Sequence, residues 1–237
     1  MKLLIHNRTE PSFNLACEEY FLARTDLELD IFWRNTPVVV IGRNQDAEAE
    51  TDGAYRERHG IGLIRRITGG GAVYHDLGNI CYTHIRRYGG PVDFRRFAAP
   101  MVSALRALGV DAAFAGRNDI LAGGRKISGT AQTIRKGRAL HHGTILYDVD
   151  LERLAGALRV GEEKYKGRGI ASVAARVANV RPMLADGPEP EDFIGRLAKV
   201  WECSGRYEMS GGDLAEIESL RREVYESPEW NLHKKRL

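Results

Sequence analysis

GRNDILAGGRKISGTAQTIRKGRALHHGTILY, residues 116–147, decides the fold. Within it NDILA, GRKISGTAQTIR and ALHHGTILY carry apolar residues that tend to alternate, the period of a strand with one buried face. The breaks between them are glycine-rich, as tight hairpin turns require. The stretch therefore predicts a β-meander.

Upstream, KLLIH (2–6) reads as a strand and PSFNLACEEYFLAR (11–24) as a helix, with Pro11 at its start and Leu15, Glu19 and Leu22 spaced by turns. LDIFW and VVVIG read as strands, and the segment after Asp52 as a short helix. GLIRRI follows as a strand, then GAVYH and NICYTHIR as two strand pieces interrupted by HDLG. DFRRFAAPMVSALRALGV (93–110) has helical spacing at Phe94, Phe97, Val102, Leu105 and Leu108, with Asp93 as N-cap, Gly109 as stop and a kink expected at Pro100. Downstream, helices are predicted over 150–158, 170–178, 190–203 and 213–225. ADGPEPED (185–192) is the best linker candidate, but too little helix follows it for a second domain, so one domain over residues 1–237 is expected.

A chain of 237 residues with 43% hydrophobic and 28% charged residues can bury a sizeable core. A net charge of +3 is too small to mark a nucleic-acid binder, although Arg65, Arg66, Arg86, Arg87, Arg95 and Arg96 cluster locally, which suits phosphate chemistry as well as a solvated face. The N-terminus MKLLIHNRTEPSFN lacks the apolar core of a signal peptide, and no stretch approaches the roughly 20 apolar residues that span a bilayer. No membrane partner is expected and a cytoplasmic location is. Cys17, Cys81 and Cys203 are widely separated and lack metal-ligand spacing, so reduced thiols are expected.

Between two predicted strands lies RRITGGGAVYHDLGN (65–79). Three consecutive glycines occur where backbone turns at positive φ or approaches a ligand closely. One reading is an anion cradle of backbone N–H groups, with Arg65 and Arg66 supplying charge; the other is a plain hairpin turn. No GK[ST] follows and no G-x-G-x-x-G opens a helix, which excludes the ordinary nucleotide motifs. Lys126 sits among Gly123, Gly124 and Gly129, where backbone can approach a ligand and a compact ammonium can follow moving negative charge. His141 and His142 are adjacent on a strand, so they face opposite ways and do not share a metal; a packed or hydrogen-bonded role is expected. For His75 and Asp76, bracing of the glycine loop is expected ahead of acid–base work.

Taken in order, RRITGGGAVYHDLGN, GRNDI, GRKISGTAQ and HHGTILY resemble the lipoate-protein ligase A family of the biotin and lipoate ligase superfamily. NLACEEYF, DFRRFAAPMVSALRALGV and GIASVAARVANV extend the resemblance over nearly the whole chain. The resemblance implies an α+β fold: a mixed, largely antiparallel sheet flanked by helices, as in class II aminoacyl-tRNA synthetases and biotin ligases. It also implies two reactions. ATP and lipoate give lipoyl-AMP and pyrophosphate, and the lipoyl group then passes to a lysine of a lipoyl-carrier domain, of the glycine cleavage H protein or 2-oxoacid dehydrogenase E2 type, with release of AMP.

By the same resemblance Lys126 is the catalytic residue, and Arg66, Gly71, Ala72, Val73, Tyr74, Asn118, Asp119 and Lys126 meet ATP or lipoyl-AMP. Gly69, Gly70, His75 and Lys126 are implied on the lipoate side. The acyl tail needs an apolar slot, with the strands around Val39–Gly42 and Tyr82–His84 as candidate walls. Mg²⁺ is expected with ATP, and no acidic pair identifies its ligands.

Two departures matter. Related transferases carry a cysteine ahead of the lysine motif, whereas AGRNDILAGGRK has none, which favours the ligase. Many ligases of the family also carry a C-terminal accessory domain after a segment like SPEWN, where this sequence ends; the open readings are a separate accessory subunit for the activation step, a truncated chain, or a chain that performs only part of the reaction. The alternatives are an ATP-independent octanoyl or lipoyl transferase between carriers, and a non-catalytic binder of lipoate or acyl-adenylate. No nucleic-acid partner is expected.

Overall fold

The computed structural model describes residues 1–24, 27–159 and 176–234. In chain order the elements are β1 (Lys2–Ile5), α1 (Pro11–Ala23), β2 (Leu29–Trp33), β3 (Val38–Ile41), α2 (Ala47–Glu50), α3 (Gly53–Arg58), β4 (Gly62–Arg65), β5 (Val73–His75) and β6 (Asn79–Arg87). Next come α4 (Phe94–Ala107), β7 (Ala112–Ala115), β8 (Asp119–Ala122), β9 (Arg125–Arg135), β10 (Arg138–Leu146) and α5 (Leu151–Ala157). The last elements are α6 (Pro190–Val200), α7 (Gly211–Leu220), which runs into a wider turn at Arg221–Tyr225, and α8 (Pro228–Asn231).

The strands form a seven-stranded sheet in the order β1-β2-β6-β10-β9-β8-β7 and a three-stranded sheet in the order β4-β3-β5. Among the named strands, β1/β2 and β3/β4 pair in parallel and the other ladders are antiparallel. The meander expected from residues 116–147 is β8-β9-β10. Its turns have the chemistry the sequence carries: Gly123 and Gly124 (φ +55° and +74°) join β8 to β9, and Lys136 and Gly137 (φ 49° and 74°) join β9 to β10. Two central residues at positive φ match the twist of a two-residue hairpin.

HDLG, expected as an interruption, moves the chain from the small sheet to the large one. Asp76 caps the turn, accepting from Gly78 N at 2.9 Å and from Asp150 N at 2.9 Å. Gly78 is required there, because a Cβ would lie 1.9 Å from the Asp148 carbonyl oxygen.

Helices cover both faces of the large sheet. On one side α4 and α6 bury Ala98, Met101, Leu105, Phe193 and Leu197 against Phe32, Ile80, Ile127 and Ile145. On the other, α1 buries Phe13, Leu15, Cys17 and Phe21 against Leu29, Ile31 and Ile85, together with Val38, Val40 and Ile64 of the small sheet. The outer face of the small sheet packs Val39, Ile41 and Tyr74 on Leu154 and Ala157 of α5. Pro100 does not end α4; it occupies the exposed side, where losing one N–H leaves the packed face intact.

Two expectations change. Most of the helix expected at 170–178 lies outside the described residues, and the described end is extended: Lys126 N donates to Arg176 O at 2.8 Å and Ala178 N to Lys126 O at 2.9 Å. The linker candidate 185–192 is tied to the fold, with Tyr147 Oη donating to Pro188 O at 2.6 Å, Arg181 paired with Glu189, and Arg196 bonded to Asp186. Helix α6 begins inside it at Pro190.

Candidate active site

A cavity of about 660 Å³, its open mouth included, lies between the two sheets and falls in the size range of small-molecule sites. Its apolar part is lined by Leu15, Trp33, Val40, Val73 and Cys81, and its polar part by Arg66, Asn118, Lys126, Thr130, His142 and Thr144 beside Gly70 and Gly71. One molecule with a hydrocarbon end and an anionic end would match both parts.

Strand alternation brings most of these side chains together, and one irregularity delivers Lys126. In β9 a regular strand would put Lys126 on the face of Ser128. The register instead runs Ile120↔Ser128 and then Leu121↔Lys126, so Ile127 is an extra residue. Ile127 and Ser128 are both fully buried, Ile127 in the core beneath α4, and Lys126 emerges into the cavity. A bulge re-aims a side chain in this way. The Lys126 Nζ pairs with Asp119 Oδ1 at 2.8 Å and lies over Gly129, where a Cβ would come within 3.0 Å of it. Asn118 is fixed to the same strand, its Nδ2 donating to Thr130 O at 2.6 Å.

The glycine loop wraps around Arg66. The Arg66 guanidinium donates to Val40 O (3.0 Å), Gly69 O (2.7 Å), Gly71 O (2.8 Å) and Thr68 Oγ1 (2.9 Å). Among the described residues these bonds use four of its five N–H groups and leave one, on Nη1, for a ligand. Burial lowers its pKa to about 10, with Glu18 acting in the opposite direction. Gly70 is at φ +94° with Arg66 Nη2 2.9 Å from where a Cβ would lie, whereas Gly69 and Gly71 would meet nothing within 4 Å. Gly42 lets the loop close in, since a Cβ there would lie 2.1 Å from Gly70 O.

Arg65 is a correction. The sequence pairs it with Arg66 as a cation at the loop, but the two point apart. Arg65 is fully buried and donates to the carbonyls of Gly42, Arg43, Gln45, Trp230 and Asn231, which ties α8 to the small sheet. Its charge is consumed by the fold.

Of the residues expected at the site, Arg66, Gly70, Gly71, Ala72, Val73, His75, Asn118 and Lys126 share the cavity lining. Gly69, Tyr74 and Asp119 do not line it: Gly69 serves Arg66, Asp119 pairs with Lys126, and the Tyr74 side chain packs with Val39 and Ile41 on the outer face of β5. Of the candidate walls only Val40 and, next to the second stretch, Cys81 face the cavity; Tyr82 and His84 face α4 and α6. His75 Nδ1 meets Asn35 Nδ2 at 3.1 Å, and burial, then Arg66 and His142, lower its pKa to about 3. It is a neutral bracing group. His141 and His142 do face opposite ways: His141 stacks on Phe97 and His84, while His142 lines the cavity.

Leu15, Trp33 and Glu18 were missed. Glu18 is buried one turn beyond Leu15 on α1, with its carboxylate 2.9 and 3.0 Å from His142 Nδ1. The signal for Glu18 was its helical spacing from Leu15 on the inner face of α1, masked by the adjacent Glu19. Among the described residues no group of three or more His, Cys, Asp or Glu side chains could hold a metal ion, and no helix is long and apolar enough to cross a membrane.

Comparisons with known proteins show the family. The family profile of the lipoyl protein ligase A/B catalytic domain matches residues 10–202. Lipoate-protein ligase LplJ of Bacillus subtilis is 38% identical over 235 residues, 95% of this chain and 71% of that protein. A chain of the archaeal lipoylation system of Thermoplasma acidophilum, described as a bi-partite lipoate protein ligase with its E2 lipoyl domain, superposes with a TM-score of 0.86 at 30% identity, covering 100% of this chain and 97% of that one. A lipoate-protein ligase A bound with ATP superposes at 0.81 with 28% identity over 99% of both chains.

Proposed function

The chain belongs to the lipoyl protein ligase A/B catalytic-domain family, and from that membership and its cavity we infer how it works as a lipoate-protein ligase. The substrates are lipoate, ATP and a lysine of a lipoyl-carrier domain. The observation that carries the reading is the pairing, in one cavity, of an apolar slot with Lys126, Arg66 and the open edge of Gly71.

A carboxylate resists attack because its leaving group would be oxide; joined to AMP it leaves as a phosphate. The obstacle is that carboxylate and triphosphate repel. The acyl chain and dithiolane ring take the slot of Leu15, Trp33, Val40, Val73 and Cys81, so the carboxylate reaches the polar end. There Lys126 exchanges Asp119 for the substrate and follows the charge from carboxylate to phosphate. The spare N–H of Arg66 and the backbone at Gly71, Ala72 and Val73 hold the nucleotide phosphate, with Asn118 nearby. In the second step the carrier amine attacks the mixed anhydride, loses a proton and expels AMP. Mg²⁺ would come with ATP and screen the charge of its phosphates.

Burial raises the Cys81 thiol well above its usual range, which disfavours the thiolate and supports a packing role for the cysteine in the cavity. That favours the ligase over a carrier-to-carrier transferase. We read the activation step as needing a separate accessory polypeptide; the bi-partite ligase of Thermoplasma acidophilum supports this. Lys126→Ala tests the assignment: loss of a preorganised donor costs about 3 to 4 kcal/mol of transition-state stabilisation, roughly 10²- to 10³-fold in rate, with the fold intact. Near-normal transfer by that variant would remove Lys126 from the chemistry.

A further inference from the structure

Beneath the cavity floor, one chain of hydrogen bonds runs from the large sheet to the glycine loop. Trp33 Nε1 donates to Thr83 Oγ1 at 3.1 Å, and Thr83 donates to Glu18 Oε1. The same carboxylate faces His142 Nδ1, and His142 Nε2 lies 2.8 Å from Thr68 Oγ1, which accepts from Arg66 Nε at 2.9 Å. All these side chains are buried.

With Glu18 ionised and the His142 ring neutral, every bond has one direction. A guanidinium only donates, so Thr68 accepts from Arg66. A carboxylate only accepts, so His142 Nδ1 carries a proton; in the neutral ring Nε2 is then the acceptor and takes the Thr68 hydroxyl. A buried anion at one end is thus linked to the buried cation at the other through two neutral groups. Thr68 Oγ1 and the carbonyls of Val40, Gly69 and Gly71 together set the orientation of Arg66.

We propose that Glu18 is a positioning residue for acyl-adenylate use: through His142 and Thr68 it holds Arg66, and through Arg66 the glycine loop, in the conformation that grips the phosphate. The proposal rests on the ligase reading above. It assigns work to a carboxylate that touches neither substrate nor loop.

The test has two readouts. The first is the ¹⁵N spectrum of His142 in the substrate-free protein, where a neutral ring protonated at Nδ1 is expected. A ring protonated at Nε2 alone, or at both nitrogens, overturns the proposal. The second is lipoyl transfer from synthetic lipoyl-adenylate to a lipoyl domain. Glu18→Gln removes the charge and one of the two oxygens facing His142 Nδ1, and Thr68→Val cuts the chain at its other end; loss of one such buried interaction predicts about a tenfold or greater fall in kcat/KM. The double variant should be no worse than the poorer single one, because both act through Arg66. Full activity in either folded variant, or losses that multiply, overturns the proposal. Thr68→Val leaves the buried carboxylate untouched and serves if Glu18→Gln does not fold. Wild type that cannot transfer lipoyl from the adenylate sinks the ligase reading itself, whereas active wild type with unaffected variants sinks only the role of Glu18.

Discussion

His75 and the glycines show how single residues divide between holding the fold and meeting the ligand. His75 is buried and its pKa is about 3, so folding keeps it neutral while the unfolded chain takes up a proton below pH 6.5. Its contribution is present in full above pH 6.5 and is lost as pH falls from there towards 3, at about 1.4 kcal/mol per pH unit. His75→Gln should therefore flatten the decline of Tm between pH 6 and pH 4, roughly the middle of that window; an unchanged slope would place the acid sensitivity elsewhere. Gly70→Ala forces a side chain into φ +94° and should cost about 1 to 3 kcal/mol. Gly71→Ala meets nothing within the protein, so Tm should hold while KM for lipoyl-adenylate rises. Normal kinetics in Gly71→Ala would reduce the loop to a turn. The sequence singled out three glycines and two arginines without showing which of each served the fold. Arg65 and Arg66 look alike in the chain, and strand alternation alone sends one to the carbonyls around α8 and the other to the cavity.

At the scale of elements, hairpin chemistry and period made the meander legible, because glycine at positive φ is a local requirement that the sequence must state. The bulge at Ile127 was not legible: it depends on how β8 and β9 share the core, a long-range matter, yet it decides where Lys126 points. The sandwich of Glu18 between helix and sheet was hidden for the same reason. The geometry of β9 makes Gly129→Ala informative. Its Cβ would crowd only the mobile end of Lys126, at 3.0 and 3.1 Å, so transfer should fall while circular dichroism and Tm stay near wild type. Equal activity would mean that the ammonium works from another position. On the opposite face, Leu105→Ala in α4 should cost about 2 to 5 kcal/mol through its cavity and leave kcat per folded molecule unchanged. A fall in kcat there would couple the helix layer to the site.

For the whole molecule, the two sheets form one cavity because α1 packs against both, and we place the chain's chemistry in that seam. The fold supplies an apolar slot, one lysine and a loop braced from below, and burial raises the thiols of Cys17 and Cys81 well above their usual range. The account accordingly separates activation, which we assign in part to an accessory polypeptide, from transfer, which the chain should perform alone. The most direct test is therefore transfer from synthetic lipoyl-adenylate to the lysine of a lipoyl domain by the purified chain, without ATP. Transfer that is abolished by Lys126→Ala and survives Cys81→Ser is the predicted result. Failure with the adenylate, alongside lipoyl or octanoyl exchange between carrier domains that Cys81→Ser abolishes, would contradict the ligase and establish a thioester-forming transferase in its place.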